Sequence, residues 1–196
     1  MSFKYLIFDL GNVIITNDWF DKYSKVFKIP NKLAWKVYTT YWTRLKEGSI
    51  TEEEFWKLFL IDAKLKITLK KAKELWREEQ KPIENMFELL KKLKKNYKLV
   101  ALTNIGDGWL EFKREKYGLD KYFKKIFASC EMHAYKPNPE VYKNVLKDLK
   151  VMGEECIFID DKQRGLSPAR KLRIHAIQFK GQKGLEKELR ELGIKF

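Results

Sequence analysis

The sequence predicts an α/β protein: a Rossmann-like, doubly wound parallel sheet interrupted by an inserted all-helical block. Three observations predict it. From residue 83 onward, short apolar runs of β-forming residues alternate with helical patterns. Three of the apolar runs end in polar side chains, at Asp9, Thr103-Asn104 and Asp160-Asp161. Between the first run and the alternating part, residues 18–82 hold helical periodicity and no strand. The expected division is a core of 1–17 with 83–196, and a helical cap of 18–82.

The elements follow in order. Tyr5–Phe8 has the length and composition of a buried parallel strand. Residues 18–28 carry Trp19, Phe20, Tyr23, Val26 and Phe27 at helical spacings, and Pro30 breaks the pattern. Asn31 is the expected N-cap of a helix that runs to about Lys46 and stops at Gly48. Thr51-Glu52-Glu53-Glu54 reads as a capping box opening the next helix, and Thr68 caps another through Trp76. A helix is expected over 83–95, then a strand over 98–102 and a helix over 109–117. A strand over 125–128, a helix over 139–149 and a strand over 156–159 come next. A helix over 164–172, a strand over 176–179 and a helix over 185–192 close the chain.

The chain has 196 residues, of which 44% are hydrophobic and 14% aromatic, a globular composition. No apolar run is long enough to cross a bilayer, and the N-terminus leads straight into the first strand without a secretory pattern. Cys130 and Cys156 form no CxxC pair, so a reduced, cytoplasmic setting is expected. The formal charge is +14. The lysines lie along helical faces, as in Lys91-Lys92-Leu93-Lys94-Lys95, which describes a solvated and heat-adapted surface. No RNP motif, zinc finger or basic arm accompanies the charge, which argues against a nucleic-acid partner.

In a parallel sheet, the polar strand ends gather at one edge, where such folds place their ligands. Each has a plain structural reading: Asp9 caps a Gly-Asn turn, Thr103-Asn104 and Asp160-Asp161 cap helices, and Lys136 is a solvated lysine. Together they have a chemical reading. A carboxylate attacks phosphorus, a hydroxyl and an amide hold phosphoryl oxygens, a lysine neutralises charge, and adjacent acids bind a hard cation.

At this point the chain resembles the haloacid dehalogenase-like hydrolase superfamily over nearly its whole length. Phe8-Asp9-Leu10-Gly11-Asn12-Val13 is similar to the first motif of that family and Leu102-Thr103-Asn104 to the second. Tyr135-Lys136-Pro137 is similar to the third and Phe158-Ile159-Asp160-Asp161 to the fourth. The first motif resembles the sugar-phosphatase branch, and the stretch from Asp160 to Arg170 resembles the phosphatase domain of epoxide hydrolases. The resemblance implies a Mg²⁺-dependent hydrolase of a small phosphorylated substrate. Asp9 would be the nucleophile. Asp9, the Gly11 carbonyl and Asp161 would ligate the metal, with Asp160 supporting. Thr103 and the Asn104 backbone would hold phosphoryl oxygens, and Lys136 would bridge phosphate and Asp9.

Two positions depart from the common pattern. Gly11 stands where most phosphatases of the family have an acid–base aspartate, and Gly165 where many have asparagine. These departures motivate a second reading, a phosphate-binding scaffold with little catalysis that serves as an interaction module. Trp19, Phe20 and Trp42 are candidates for the substrate pocket. Arg44 and Lys46 read as surface charge or as contacts to an anionic substrate. Trp109 is expected to pack beneath the helix that follows the second motif.

Overall fold

A computed structural model describes residues 3–17 and 24–196. Its strands are β1 (Tyr5–Phe8), β2 (Lys98–Thr103), β3 (Lys125–Ala128), β4 (Cys156–Asp160) and β5 (His175–Gln178). All pair in parallel, in the order β3-β2-β1-β4-β5. The chain winds outward from β1 through β2 to β3, then returns to the other side of β1 with β4. The topological switch therefore falls between β1 and β4, the crevice that favours a ligand. Phe8 lies opposite Ile159, so Asp9 and Asp160 leave the sheet side by side.

Alternation along each strand sorts side chains to two faces. Leu6, Phe8, Leu99, Ala101, Ile157 and Ile159 join one buried cluster. Tyr5, Ile7, Val100, Leu102, Cys156 and Phe158 join the other. Burial on both faces is why these strands read as unbroken apolar runs. Cys130 and Cys156 are free thiols within this packing.

The helices are α1 (Asn31–Lys46), α2 (Glu52–Asp62), α3 (Leu69–Glu78), α4 (Met86–Leu93) and α5 (Asp107–Tyr117). They continue with α6 (Ser129–Met132), α7 (Pro139–Leu149), α8 (Gln163–Lys171) and α9 (Gln182–Glu191). At α2 the Thr51 hydroxyl accepts from the Glu54 N–H at 3.2 Å and the Glu54 carboxylate accepts from the Thr51 N–H at 2.8 Å. Such a cap contributes about 1 kcal/mol. Thr68 accepts from the Lys71 N–H at the start of α3. No helix among the described residues is long and apolar enough to cross a membrane.

Several expectations need correction. Asn31 is not the N-cap of α1 but its first residue: the Pro30 carbonyl accepts from the Leu33 and Ala34 N–H groups and so opens the helix. The helix expected over 83–95 begins at Met86. Ile83 is held instead by the Ile14 carbonyl, and Asn85 adopts a left-handed φ of 59°. α5 starts two residues earlier than expected and α9 three, while β5 starts one earlier. Of the helix expected over 18–28, residues 24–27 are helical, and 18–23 lie outside the described residues.

The helical block shares one core with the sheet. Trp109 of α5 stacks on Trp76 of α3 at 4.5 Å and on Trp42 of α1 at 5.5 Å between ring centroids. Trp109 thus packs against the inserted helices and not, as expected, beneath its own. Glu52, 4% exposed, ties α2 down further. Its N–H donates to Asp107 Oδ1 at 2.8 Å, and its carboxylate meets Lys73, Arg77 and the Trp56 indole. This packing holds α1 across the carboxyl ends of the strands.

Candidate active site

β1 ends at Asp9, whose N–H donates to the Ile159 carbonyl at 2.9 Å. The chain then folds back on itself: Ile14 and Ile15 both donate to the Leu10 carbonyl, and Asn12 donates to Ile15. Burial of Leu10, Val13, Ile14 and Ile15 drives this closure. Asn12, at φ 54°, accepts from the Asn17 N–H at 2.5 Å. Asn17 is thereby brought beside Gly11, where a Cβ would stand 3.1 Å from Asn17 Nδ2. The place of the missing aspartate is partly filled by an amide.

Asp9 Oδ1 accepts from the Leu10 N–H at 2.7 Å and lies 3.2 Å from Lys136 Nζ. Both contacts fall on one oxygen, which leaves Oδ2 without a protein partner among the described residues. Lys136 Nζ also lies 2.6 Å from Asp160 Oδ2. The loop carrying Lys136 is clamped by Asn104, whose side chain donates to the Lys136 carbonyl at 2.8 Å and accepts from its N–H at 2.9 Å. Thr103, buried at the end of β2, lines the same cavity as Asp9. Ser129 steadies the turn after β2 by accepting from the Ile105 N–H at 2.9 Å. No motif marked Ser129 in the sequence.

Asp9, Asp160 and Asp161 each offer an oxygen, all within 4.8 Å of one another. Each Asp160 oxygen already has one partner: Oδ2 accepts from Lys136 Nζ at 2.6 Å and Oδ1 from the Lys162 N–H at 2.8 Å. Asp161 Oδ1 is buried and has no hydrogen-bond partner among the described residues. A buried carboxylate oxygen without a donor is costly, and a cation satisfies it. Gly165 permits the crowding, because a Cβ there would lie 2.9 Å from Asp160 Oδ2.

The electrostatics agree. Burial pushes the Asp161 carboxyl up to about 6, with the Asp9 charge adding to it. Burial also raises Asp9, opposed by the Lys136 ammonium and assisted by the Asp160 charge. Burial alone would lower Lys136, yet the charges of Asp9 and Asp160 overrule it and hold it above its usual value. At contact distance the carboxylates meet one ammonium, Lys136, while Lys162 acts on Asp9 and Asp161 from further off. A hard divalent cation with oxygen ligands fits that donor set.

Asp9, Gly11, Thr103, Asn104, Lys136 and Asp160 all line one cavity of about 440 Å³. Trp42 lines it too, as expected, whereas Trp19 and Phe20 lie outside the described residues. Sequence reasoning missed Asn17, Trp35, Tyr38 and Lys113, which also line it. Lys46 reaches the cavity and Arg44 does not line it. Helical spacing marked Trp35 and Tyr38 as apolar but gave no sign of their direction.

Residues 6–179 match the family model described as haloacid dehalogenase-like hydrolase. The chain is 30% identical to flavin mononucleotide hydrolase 1 of Arabidopsis thaliana, over 96% of this chain and 77% of that protein. It is 25% identical to the D-ribitol-5-phosphate phosphatase of Bacteroides thetaiotaomicron, over 89% of this chain and 91% of that one. Among solved structures, a HAD family enzyme of Bacteroides thetaiotaomicron superposes with a TM-score of 0.82 at 25% identity, over 92% of this chain and 95% of that one. That enzyme has also been solved in complex with magnesium and inorganic phosphate.

Proposed function

The chain belongs to the haloacid dehalogenase-like hydrolases and is a phosphatase-type hydrolase of phosphorylated substrates; from that premise we propose that it cleaves a small phosphomonoester through an aspartyl-phosphate at Asp9, with Mg²⁺ as cofactor. The observation that carries the proposal is the asymmetry of Asp9. Its Oδ1 is held by the Leu10 N–H and Lys136, which leaves Oδ2, without a protein partner among the described residues, to attack.

In the first half-reaction, Asp9 Oδ2 bonds to phosphorus as the ester P–O bond breaks, and the leaving alkoxide takes a proton from water, since Gly11 offers no acid. In the second, water attacks the aspartyl-phosphate, phosphate leaves and the Asp9 carboxylate is restored. Lys136 neutralises Asp9 and the phosphoryl group in both halves. Thr103 and the Asn104 backbone hold the phosphoryl oxygens. Asp9, Asp161 and the Gly11 carbonyl would hold Mg²⁺, which would supply charge neutralisation and orientation. Asp160, with one protein donor on each oxygen, supports that shell through Lys136. Residues 18–82 act as a cap, with α1 closing the cavity through Trp35, Tyr38 and Trp42.

The test is phosphate release from a panel of esters, flavin mononucleotide and D-ribitol 5-phosphate among them, with and without Mg²⁺. Release that needs Mg²⁺ and disappears in Asp9→Asn is the expected outcome. Turnover retained by Asp9→Asn would remove Asp9 as nucleophile. Tight binding of phosphate analogues without turnover of any ester would favour the scaffold reading instead.

A further inference from the structure

One wall of the cavity carries positive charge that a single phosphoryl group leaves unused. Lys113 of α5 is 3% exposed and lines the cavity that holds Asp9. Its ammonium has no hydrogen-bond or ion-pair partner among the described residues. One helical turn earlier on the same face stands Trp109, 4% exposed, with its indole Nε1 buried and without an acceptor among the described residues. This wall offers donors and no acceptor. Burial pulls the Lys113 ammonium down to about 8, with only the charge of Asp9 opposing.

The rest of the lining is unbalanced in the same direction. Among the described residues its cations are Lys46, Lys113, Lys136, Lys162 and Arg164, and its carboxylates are Asp9 and Asp160. Lys136 is engaged by both carboxylates. The other four make no ion pair among the described residues. Lys46 of α1 and Arg164 of α8 even face each other's charge: burial lowers Lys46 and Arg164 lowers it further. Lys46 rests on the Tyr135 ring, 3.6 Å from its centroid, and the neighbouring Glu47 charge only partly offsets that lowering. A buried, unpaired cation persists at a cost that an incoming anion removes. At about 440 Å³, the cavity has room for more than a phosphoryl group.

We propose that the substrate is a phosphomonoester bearing a second anionic group, a carboxylate or a second phosphoryl, on the fragment left after hydrolysis, and that Lys113 is the direct partner of that group. Lys46 and Arg164 set the field that draws it in. This rests on the phosphatase reading above and narrows its substrate class. Flavin mononucleotide and D-ribitol 5-phosphate each carry a single phosphate and serve as the contrasting class.

The experiment uses matched pairs that differ in the second anion. One pair is 3-phosphoglycerate against glycerol 3-phosphate, and the other is fructose 1,6-bisphosphate against fructose 6-phosphate. For each, kcat/KM is measured with Mg²⁺ in the parent protein, Lys113→Met and Arg164→Gln. Affinity is measured by calorimetry in Asp9→Asn, which reads the preference without turnover. At least one pair should show a preference of about tenfold or more for the doubly anionic member. Lys113→Met should reduce that preference by about 10- to 100-fold, the range for a hydrogen bond to a charged group. Arg164 is exposed, so Arg164→Gln probes the same field in a variant whose fold is not at stake. Equal affinity for both members of both pairs overturns the inference. So does an equal loss for both members in Lys113→Met, which would assign Lys113 to the common phosphoryl group or to the fold. Absence of phosphate release from every ester defeats the phosphatase reading alone, because the calorimetric preference still stands or falls by itself.

Discussion

Asn104 grips the backbone of Lys136 from both sides, donating to its carbonyl at 2.8 Å and accepting from its N–H at 2.9 Å. The amide therefore sets where the ammonium between Asp9 and Asp160 stands. Asn104→Ala should lower kcat by about 10- to 100-fold, since two hydrogen bonds to a part-buried loop are lost. Asn104→Asp keeps the acceptor but sets a carboxylate oxygen against the Lys136 carbonyl, so its loss should be at least as large. Steady-state kinetics of the two variants at saturating Mg²⁺ checks the order.

Asp161 makes cation binding depend on pH. Its carboxyl is pushed up to about 6, so it is protonated more readily in the folded chain than in the unfolded one. A raised acid favours the folded state at low pH, and that contribution is lost as pH rises from the ordinary carboxylate range through about 6. The cation needs the ionised form. Mg²⁺ should thus raise Tm more at pH 7.5 than at pH 5, and the Mg²⁺ affinity should fall below about pH 6. Thermal melts with and without Mg²⁺ at both pH values measure this. An equal rise at both would show that Asp161 is not a ligand.

Gly11 and Asn17 compete for one space. Gly11→Asp places a Cβ 3.1 Å from Asn17 Nδ2, so the new carboxylate meets the amide that fills the site. Adding Asn17→Ala relieves the contact. The double variant should turn over faster than Gly11→Asp alone, because general acid–base help is worth about 10²–10⁴-fold. Comparing kcat across the parent, the two single variants and the double variant tests this, and a double variant no faster than Gly11→Asp would refute it.

Gly165 protects the Asp160–Lys136 contact. A methyl group there would lie 2.9 Å from Asp160 Oδ2 and displace the oxygen that accepts from Lys136 Nζ. Gly165→Ala should lower kcat by roughly tenfold while the fold survives, since the position is helical and alanine favours helix. Circular dichroism beside kinetics separates the two effects. Full activity in the variant would mean that Asp160 does not position Lys136.

The sequence by itself determined the order of the strands and helices, the helical insertion and the residues at the strand ends. It could do so because those signals are local. Strands buried on both faces must be apolar throughout, and a parallel sheet brings its carboxyl ends to one edge. Asp9, Thr103, Lys136 and Asp160 meet there, as their order in the chain implied. Tertiary structure alone decided the rest. Pro30 opens α1 because its carbonyl is the first acceptor, a fact of geometry that the Asn31 side chain conceals. Trp109 turns toward Trp42 and Trp76 because the inserted helices pack over α5. Periodicity names an apolar face without saying what covers it. Lys113 reads as one lysine in a basic helix until folding buries it beside the nucleophile's cavity. Burial and direction, which set its charge and its role, arise only when elements distant in the chain close around it.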